Sequence, residues 1–236
     1  EQNPLEGEWY THGLFTAGSK GDEWDPVLTS HLVHDVAQWT ERRLREIDYD
    51  EVDVVIDQRL SEIGEVVLPI LEDGVSLALG ETWLFGSVIM ETVEDENGEI
   101  IVRLGQIANT GRKHPFVISN SSFFHDRILE TFFNSGSVDE PSGPVSAYGM
   151  WKYPYDLHLS HIIGWTVYGM KNLGTLTSGH LFQFAGMQLN SIIDFDLIDD
   201  AARWDFKGFY QFLGDPTVKI RTAQPTQLMV DHPESY

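Results

Sequence analysis

Cysteine is absent from the 236 residues. That removes disulfides, thiolate nucleophiles and zinc sites built on sulfur together. Basic residues are scarce. Fifteen Lys and Arg stand against 37 Asp and Glu, a formal net charge of −22 with histidine neutral. Affinity for phosphate rests on Lys and Arg, so this balance excludes a nucleic-acid binder and argues equally against docking on an anionic membrane. No run approaches the ~20 apolar residues of a spanning helix. Gly80, Gly105 and Gly111 stand apart, and no glycine-rich run leads into a helix with Lys-Ser or Lys-Thr behind it. Nucleotide binding therefore has no support. Repeats and low-complexity tracts are also missing.

What is present is core material. Hydrophobic residues make up 42 % and aromatics 12 %, enough for one large domain or two small ones and too apolar for a disordered chain. The acid excess suits salty surroundings. The chain opens on Glu1 rather than Met, which reads as a processed product or an excerpt with any signal segment removed.

Periodicity places the elements. Residues 9–17 read as an extended apolar stretch ending at Gly18, and residues 19–25 as a polar loop. Pro26 opens a helix with Leu28, Leu32, Val36, Trp39 and Leu44 near helical spacing. Residues 52–56 form a short β-branched run of the buried-strand kind. Leu60, Ile63, Val67, Ile70 and Leu71 mark a second amphipathic helix that Gly74 ends, and residues 75–79 give another buried strand. This βαβαβ order implies a parallel sheet with right-handed crossovers. Residues 87–94 and 99–104 flank Asp95-Glu96-Asn97-Gly98, a strong hairpin signal. A strand over 115–119, a helix over 126–134, a strand over 143–148 and helices over 157–170 and 176–189 follow. Residues 227–230 read as a last edge strand, or the first strand of a following domain.

Four segments, in this order, resemble the gingipain-type cysteine peptidases, whose catalytic subdomain has a caspase-like α/β fold. Trp9-Tyr10-Thr11-His12-Gly13-Leu14-Phe15-Thr16-Ala17-Gly18 resembles the first strand of that subdomain. Val75-Ser76-Leu77-Ala78-Leu79 resembles the strand leading to the catalytic His-Gly pair, and Pro115-Phe116-Val117-Ile118-Ser119-Asn120-Ser121-Ser122 the strand ending at the catalytic Cys. Leu213-Gly214-Asp215-Pro216-Thr217-Val218-Lys219-Ile220-Arg221 resembles the closing segment and is the most specific of the four. The resemblance implies a caspase-like, mostly parallel sheet flanked by helices on both faces, with an inserted β-hairpin. The domain would span residues 1–222, leaving 223–236 as a tail or the start of another domain. The residue pattern alone points the same way, and ligands of such sheets bind at the carboxyl ends of the strands. The ends of 75–79 and 115–119 are thus the place to look.

The family's chemistry needs a thiolate and an imidazole to take its proton. By the spacing from Pro115, the nucleophile position carries Ser122. After Leu79 the chain runs Gly80-Glu81-Thr82-Trp83 with no histidine. The resemblance thus implies a degenerate site with both members of the dyad missing. His125 and Asp126 follow Ser122 closely, but triad partners ordinarily come from separate elements. A turn and a helix start are the expected roles there. Two alternatives remain: a working hydrolase with Ser122 as nucleophile, and a cysteine peptidase silenced by a Cys-to-Ser change. The second leaves the missing histidine unexplained, whereas natural loss of the whole site accounts for both.

Other constellations have ordinary readings beside the functional ones. Asp95, Asn97 and Glu99 offer hard oxygen ligands without EF-hand spacing. A solvated hairpin tip is preferred. Calcium is the alternative cofactor, which gingipain-like proteins commonly bind, and none is required. His31 with His34, and His158 with His161, have i, i+3 spacing that can share a metal, but no further ligands can be placed and ordinary histidines are preferred. Trp151-Lys152-Tyr153-Pro154-Tyr155 puts aromatics on a loop, because Pro154 blocks regular structure. Trp151, Tyr153 and Tyr155 are the candidate binding residues, since aromatics anchor interfaces. The basic turn Gly111-Arg112-Lys113-His114 either balances nearby carboxylates or docks an acidic partner.

The expectation is a pseudo-peptidase domain at or outside the cell surface, binding a protein partner or a second copy through its inherited cleft. An uncovered edge at 227–230 would serve self-assembly. A working Ser122 hydrolase and a calcium-stabilised structural module are the alternatives.

Overall fold

The computed structural model describes residues 7–18, 26–58, 60–81, 90–94, 100–104, 113–119, 143–150, 156–173, 177–193, 210–220 and 222. The chain opens on one turn of 3-10 helix, Glu8–Thr11, and strand β1, His12–Gly18, follows. An extended start at residue 9 is therefore corrected. Trp9 and Tyr10 are both buried, with ring centroids 4.0 Å apart. A strand would send consecutive side chains to opposite faces, whereas the tight turn lets both rings lie against the amino end of the sheet.

Helix α1, Pro26–Arg45, leads to β2, Glu51–Gln58, then α2, Leu60–Asp73, and β3, Leu77–Glu81. Arg42, Arg43 and Arg45 crowd the last turn of α1, where cations complement the helix dipole. Gly74 stops α2: its φ is 106° and its N–H bonds the Ile70 carbonyl at 3.1 Å, the left-handed stop that glycine takes most cheaply. β4, Met90–Glu94, and β5, Ile100–Leu104, pair antiparallel with Glu94 opposite Ile100. The expected hairpin strands are present, and the tip with Asp95, Asn97 and Glu99 lies outside the described residues. β6, Phe116–Ser119, and β7, Ser146–Met150, precede α3, Asp156–Leu173, α4, Ser178–Ile193, and β8, Tyr210–Gly214. The expected helix over 126–134 and edge strand over 227–230 also lie outside the described residues.

The main sheet has the order β2-β1-β3-β6-β7-β8. The first five strands are parallel and β8 runs antiparallel to β7. From β1 the chain steps one way to β2, then back across to β3. Right-handed crossovers consequently place α1 and α2 on opposite faces. The register aligns Val54, Phe15, Leu79, Ile118, Tyr148 and Phe212 across all six strands. This row, with Ala37, Leu44, Ile163, Val167 and Leu181 from α1, α3 and α4, makes the main core. Phe15, Leu79, Ile118 and Tyr148 are fully buried, each contributing about 1.5–3 kcal/mol by leaving water. The Tyr148 hydroxyl meets that of Thr166, which donates to the Ile162 carbonyl at 2.8 Å, so β7 and α3 are joined by a polar link inside the core.

The closing segment after β8 caps α4. Ser178 N–H donates to the Val218 carbonyl at 2.9 Å, and Gly179 N–H to the Pro216 carbonyl at 3.0 Å. First-turn amides of a helix have no partner within it, and this segment supplies two. Its turn is held by Asp215 Oδ1, which accepts from the Thr217 hydroxyl at 2.6 Å and the Thr217 N–H at 2.8 Å. Those two bonds hold the Asp215 carboxyl below its ordinary range.

Candidate functional site

In a parallel sheet every strand delivers its carboxyl end to one edge, and ligands bind where the winding direction reverses. Here that point lies between β1 and β3, and β6 is the next strand along. At this edge Thr16, Gly80, Ser119 and Gly149 share one row on neighbouring strands. The two strand ends singled out from the sequence are thus adjacent, with Gly80 directly opposite Ser119. Two of these four residues are glycines, so no large side chain stands in the middle of the row. Thr16 is fully buried, and its hydroxyl finds no hydrogen-bond partner among the described residues.

The sequence-derived site residues fall unevenly on this frame. Gly80 is buried at the end of β3. Glu81 is the last residue of β3, opposite Ala17, and its side chain lies outside the described residues. Ser122, three residues beyond Ser119, lies outside them too, as do His125 and Asp126. Trp151, Tyr153 and Tyr155 are likewise outside, in the connection from Met150 of β7 to Asp156 of α3. Since β7 runs parallel beside β6, the chain leaves β7 at the same carboxyl edge. The side chains of His31, His158 and His161 are not among those described. Of the basic turn, Gly111 and Arg112 lie outside the described residues. The Lys113 ammonium donates to the Asp73 carbonyl, and His114 Nδ1–H donates to the Gly143 carbonyl at 2.7 Å. Both groups bond backbone carbonyls of the fold itself, at the end of α2 and ahead of β7.

The amino edge carries what sequence reasoning missed. His12 and Glu51 are opposite one another on β1 and β2, and Asp53 lies two residues on, on the same face. His12 Nε2 and Asp53 Oδ2 are 2.8 Å apart. Nearby, the Ser76 hydroxyl donates to the Tyr49 oxygen at 3.2 Å. Burial pushes the Tyr49 phenol well above its ordinary range, and the Ser76 bond opposes this only partly. The signal available was parity: once β1 and β2 are read as parallel neighbours, alternation puts these three residues on one face. A cavity of about 20 Å³, lined by Trp9, Tyr10, Ser76, His114, Phe116 and Ile220, opens at this end. It has room for about one water and is no substrate cleft.

No protein-family model matches the chain, and no curated protein matches it. Solved structures do. The Arg-specific cysteine proteinase gingipain R matches with a TM-score of 0.66 at 13 % identity, covering 93 % of this chain and 49 % of that one. The complex of Porphyromonas gingivalis RgpB pro- and mature domains matches with a TM-score of 0.68 at 13 % identity, covering 93 % and 50 %. The chain therefore spans about half the length of these relatives and has the caspase-like α/β fold of gingipain. With no cysteine anywhere in it, the chain supplies no thiolate nucleophile of the kind a cysteine peptidase needs.

Proposed function

We propose that the chain is a non-catalytic domain on a gingipain-type scaffold, which uses the inherited carboxyl-edge cleft to bind a protein partner or a second copy at or outside the cell surface. One observation carries this reading. The strand ends that would present a nucleophile and its base stand side by side at Gly80 and Ser119, while the sequence beyond them offers Ser122 and Gly80-Glu81-Thr82-Trp83, with neither cysteine nor histidine at those positions. The strand ends that would frame such a cleft are adjacent, and the chain has no cysteine to supply a thiolate there. A hydroxyl without a base is a poor nucleophile, which supports recognition over catalysis. The extracellular setting rests on the resemblance and on the acid excess, which keeps a chain soluble in salt. One of the similar structures is a complex of pro- and mature domains, which gives the scaffold a precedent for holding another polypeptide.

The test is Ser122→Cys, assayed on a mixed peptide library beside the unaltered chain. The expected result is no cleavage by either, because a thiol without an imidazole stays largely protonated at neutral pH. Cleavage by the variant would mean that the remaining machinery survives and would defeat the proposal. Cleavage by the unaltered chain, lost in Ser122→Ala, would establish a serine hydrolase instead.

A further inference from the structure

We infer that His12, Glu51 and Asp53 form a binding site for a first-row divalent cation of the zinc kind, at the amino edge of the sheet, away from the cleft. The donor atoms are one imidazole nitrogen and a carboxylate oxygen from each of two acids, all within 4.8 Å of one another. Two of them, His12 Nε2 and Asp53 Oδ2, already stand 2.8 Å apart. Ligands of a tetrahedral ion at about 2.1 Å are separated by about 3.4 Å, so small side-chain adjustments bring the set around one ion. The backbone beneath is fixed, because His12 and Glu51 are partners in the β1–β2 ladder.

Charge supplies the second argument. Glu51 and Asp53 project from the same face of one strand, two residues apart, and like charges in that relation repel. Neither carboxylate has a Lys or Arg ion pair among the described residues, where Asp53 bonds His12. The chain as a whole carries −22, which raises the local concentration of cations further. A divalent ion relieves the repulsion that no Lys or Arg offsets among the described residues. Three properties set the kind of ion. The imidazole selects against calcium and magnesium, which take oxygen ligands. The two carboxylates and the lack of sulfur select against copper(I). The remaining position is left to water, since Glu51 is exposed and His12 is buried. The bound ion would clamp the outermost strand, β2, to β1.

The experiment is calorimetric titration of the full chain with Zn2+ after chelator treatment, comparing wild type with Glu51→Gln and His12→Gln. Wild type is expected to bind one equivalent that Glu51→Gln holds about tenfold or more weakly and that His12→Gln lacks. Ca2+ at equal concentration should not displace it. At a hundredfold excess over its dissociation constant, Zn2+ should raise the wild-type melting midpoint by about 5–10 °C, and less in either variant. Glu51 is exposed, so its variant keeps the fold even where the His12 variant is weakened. Equal isotherms for wild type and Glu51→Gln would overturn the site, as would displacement by Ca2+. A His12→Gln chain that melts lower yet binds Zn2+ as before would show that the imidazole is only a strut to Asp53, and would overturn it too.

Discussion

Gly214 ends β8 with a φ of 99°, and a Cβ there would stand 2.7 Å from the Val145 carbonyl oxygen and 2.8 Å from Ser146 Cα. Both obstacles are backbone of the neighbouring strand β7 and its approach, which cannot rotate aside. Gly214→Ala should lower stability by about 2–4 kcal/mol, from the left-handed penalty and the displaced ladder. Gly186, inside α4 with nothing within 4 Å of its Cβ position, is the contrast. Gly186→Ala should raise stability by about 0.5–1 kcal/mol through backbone entropy. Urea melts of the two variants check both signs. At the carboxyl edge, Thr16 buries a hydroxyl without a partner among the described residues, at a cost of about 1–3 kcal/mol. Thr16→Val should therefore stabilise the chain by about 1 kcal/mol in the same melts. A loss of stability would mean that the hydroxyl is engaged at the cleft.

At the scale of elements, the Glu46 carboxylate just beyond α1 bonds the Lys171 ammonium of α3 and accepts from Arg43 Nη1 at 2.7 Å. The Lys171 bond first, and the Arg43 bond second, lower its pKa from 4.5 to about 2. A value lower in the folded chain gives stability that is present above the unfolded pKa and lost as pH falls from about 4.5 toward 2. Wild type should therefore lose more of its melting midpoint between pH 5 and 2 than Glu46→Gln, and the two should converge below about pH 2. The pair is exposed, so added salt should shrink the difference. The helices were legible in the sequence because their apolar spacing is strong: α1 begins at Pro26, and α2 stops at Gly74, where the pattern puts them. The strands were less so. The buried run suggested 75–79, yet β3 spans Leu77–Glu81, because pairing is made by backbone and continues through Gly80 and Glu81 after the apolar side chains end. The antiparallel direction of β8 had no local mark, since it depends on which edge the chain re-enters from.

At the scale of the whole molecule, the same distinction explains which parts of the sites could be read. The carboxyl edge was legible because parallel strands must all end there, whatever their order, and Gly80 and Ser119 do meet. The trio of His12, Glu51 and Asp53 was not, because its members are 39 and 41 residues apart and come together only through the β1–β2 register. A last consequence is global. With −22 formal charges on 236 residues, self-repulsion favours the expanded chain, in which the charges stand farther apart. Added salt shortens the Debye length from about 30 Å at 0.01 M to about 10 Å at 0.1 M. It should therefore stabilise the fold even though it weakens the bonds of Glu46. The melting midpoint in NaCl is expected to rise steeply between 0.01 and 0.3 M, the range over which screening reaches molecular dimensions, and then flatten. Sulfate separates this from preferential exclusion, which strengthens burial and keeps growing with concentration. A flat or falling midpoint in NaCl would mean that the acidic residues are spaced well enough to leave little repulsion to screen, and the exposed pairs such as Glu46 with Lys171 would then dominate the response to salt.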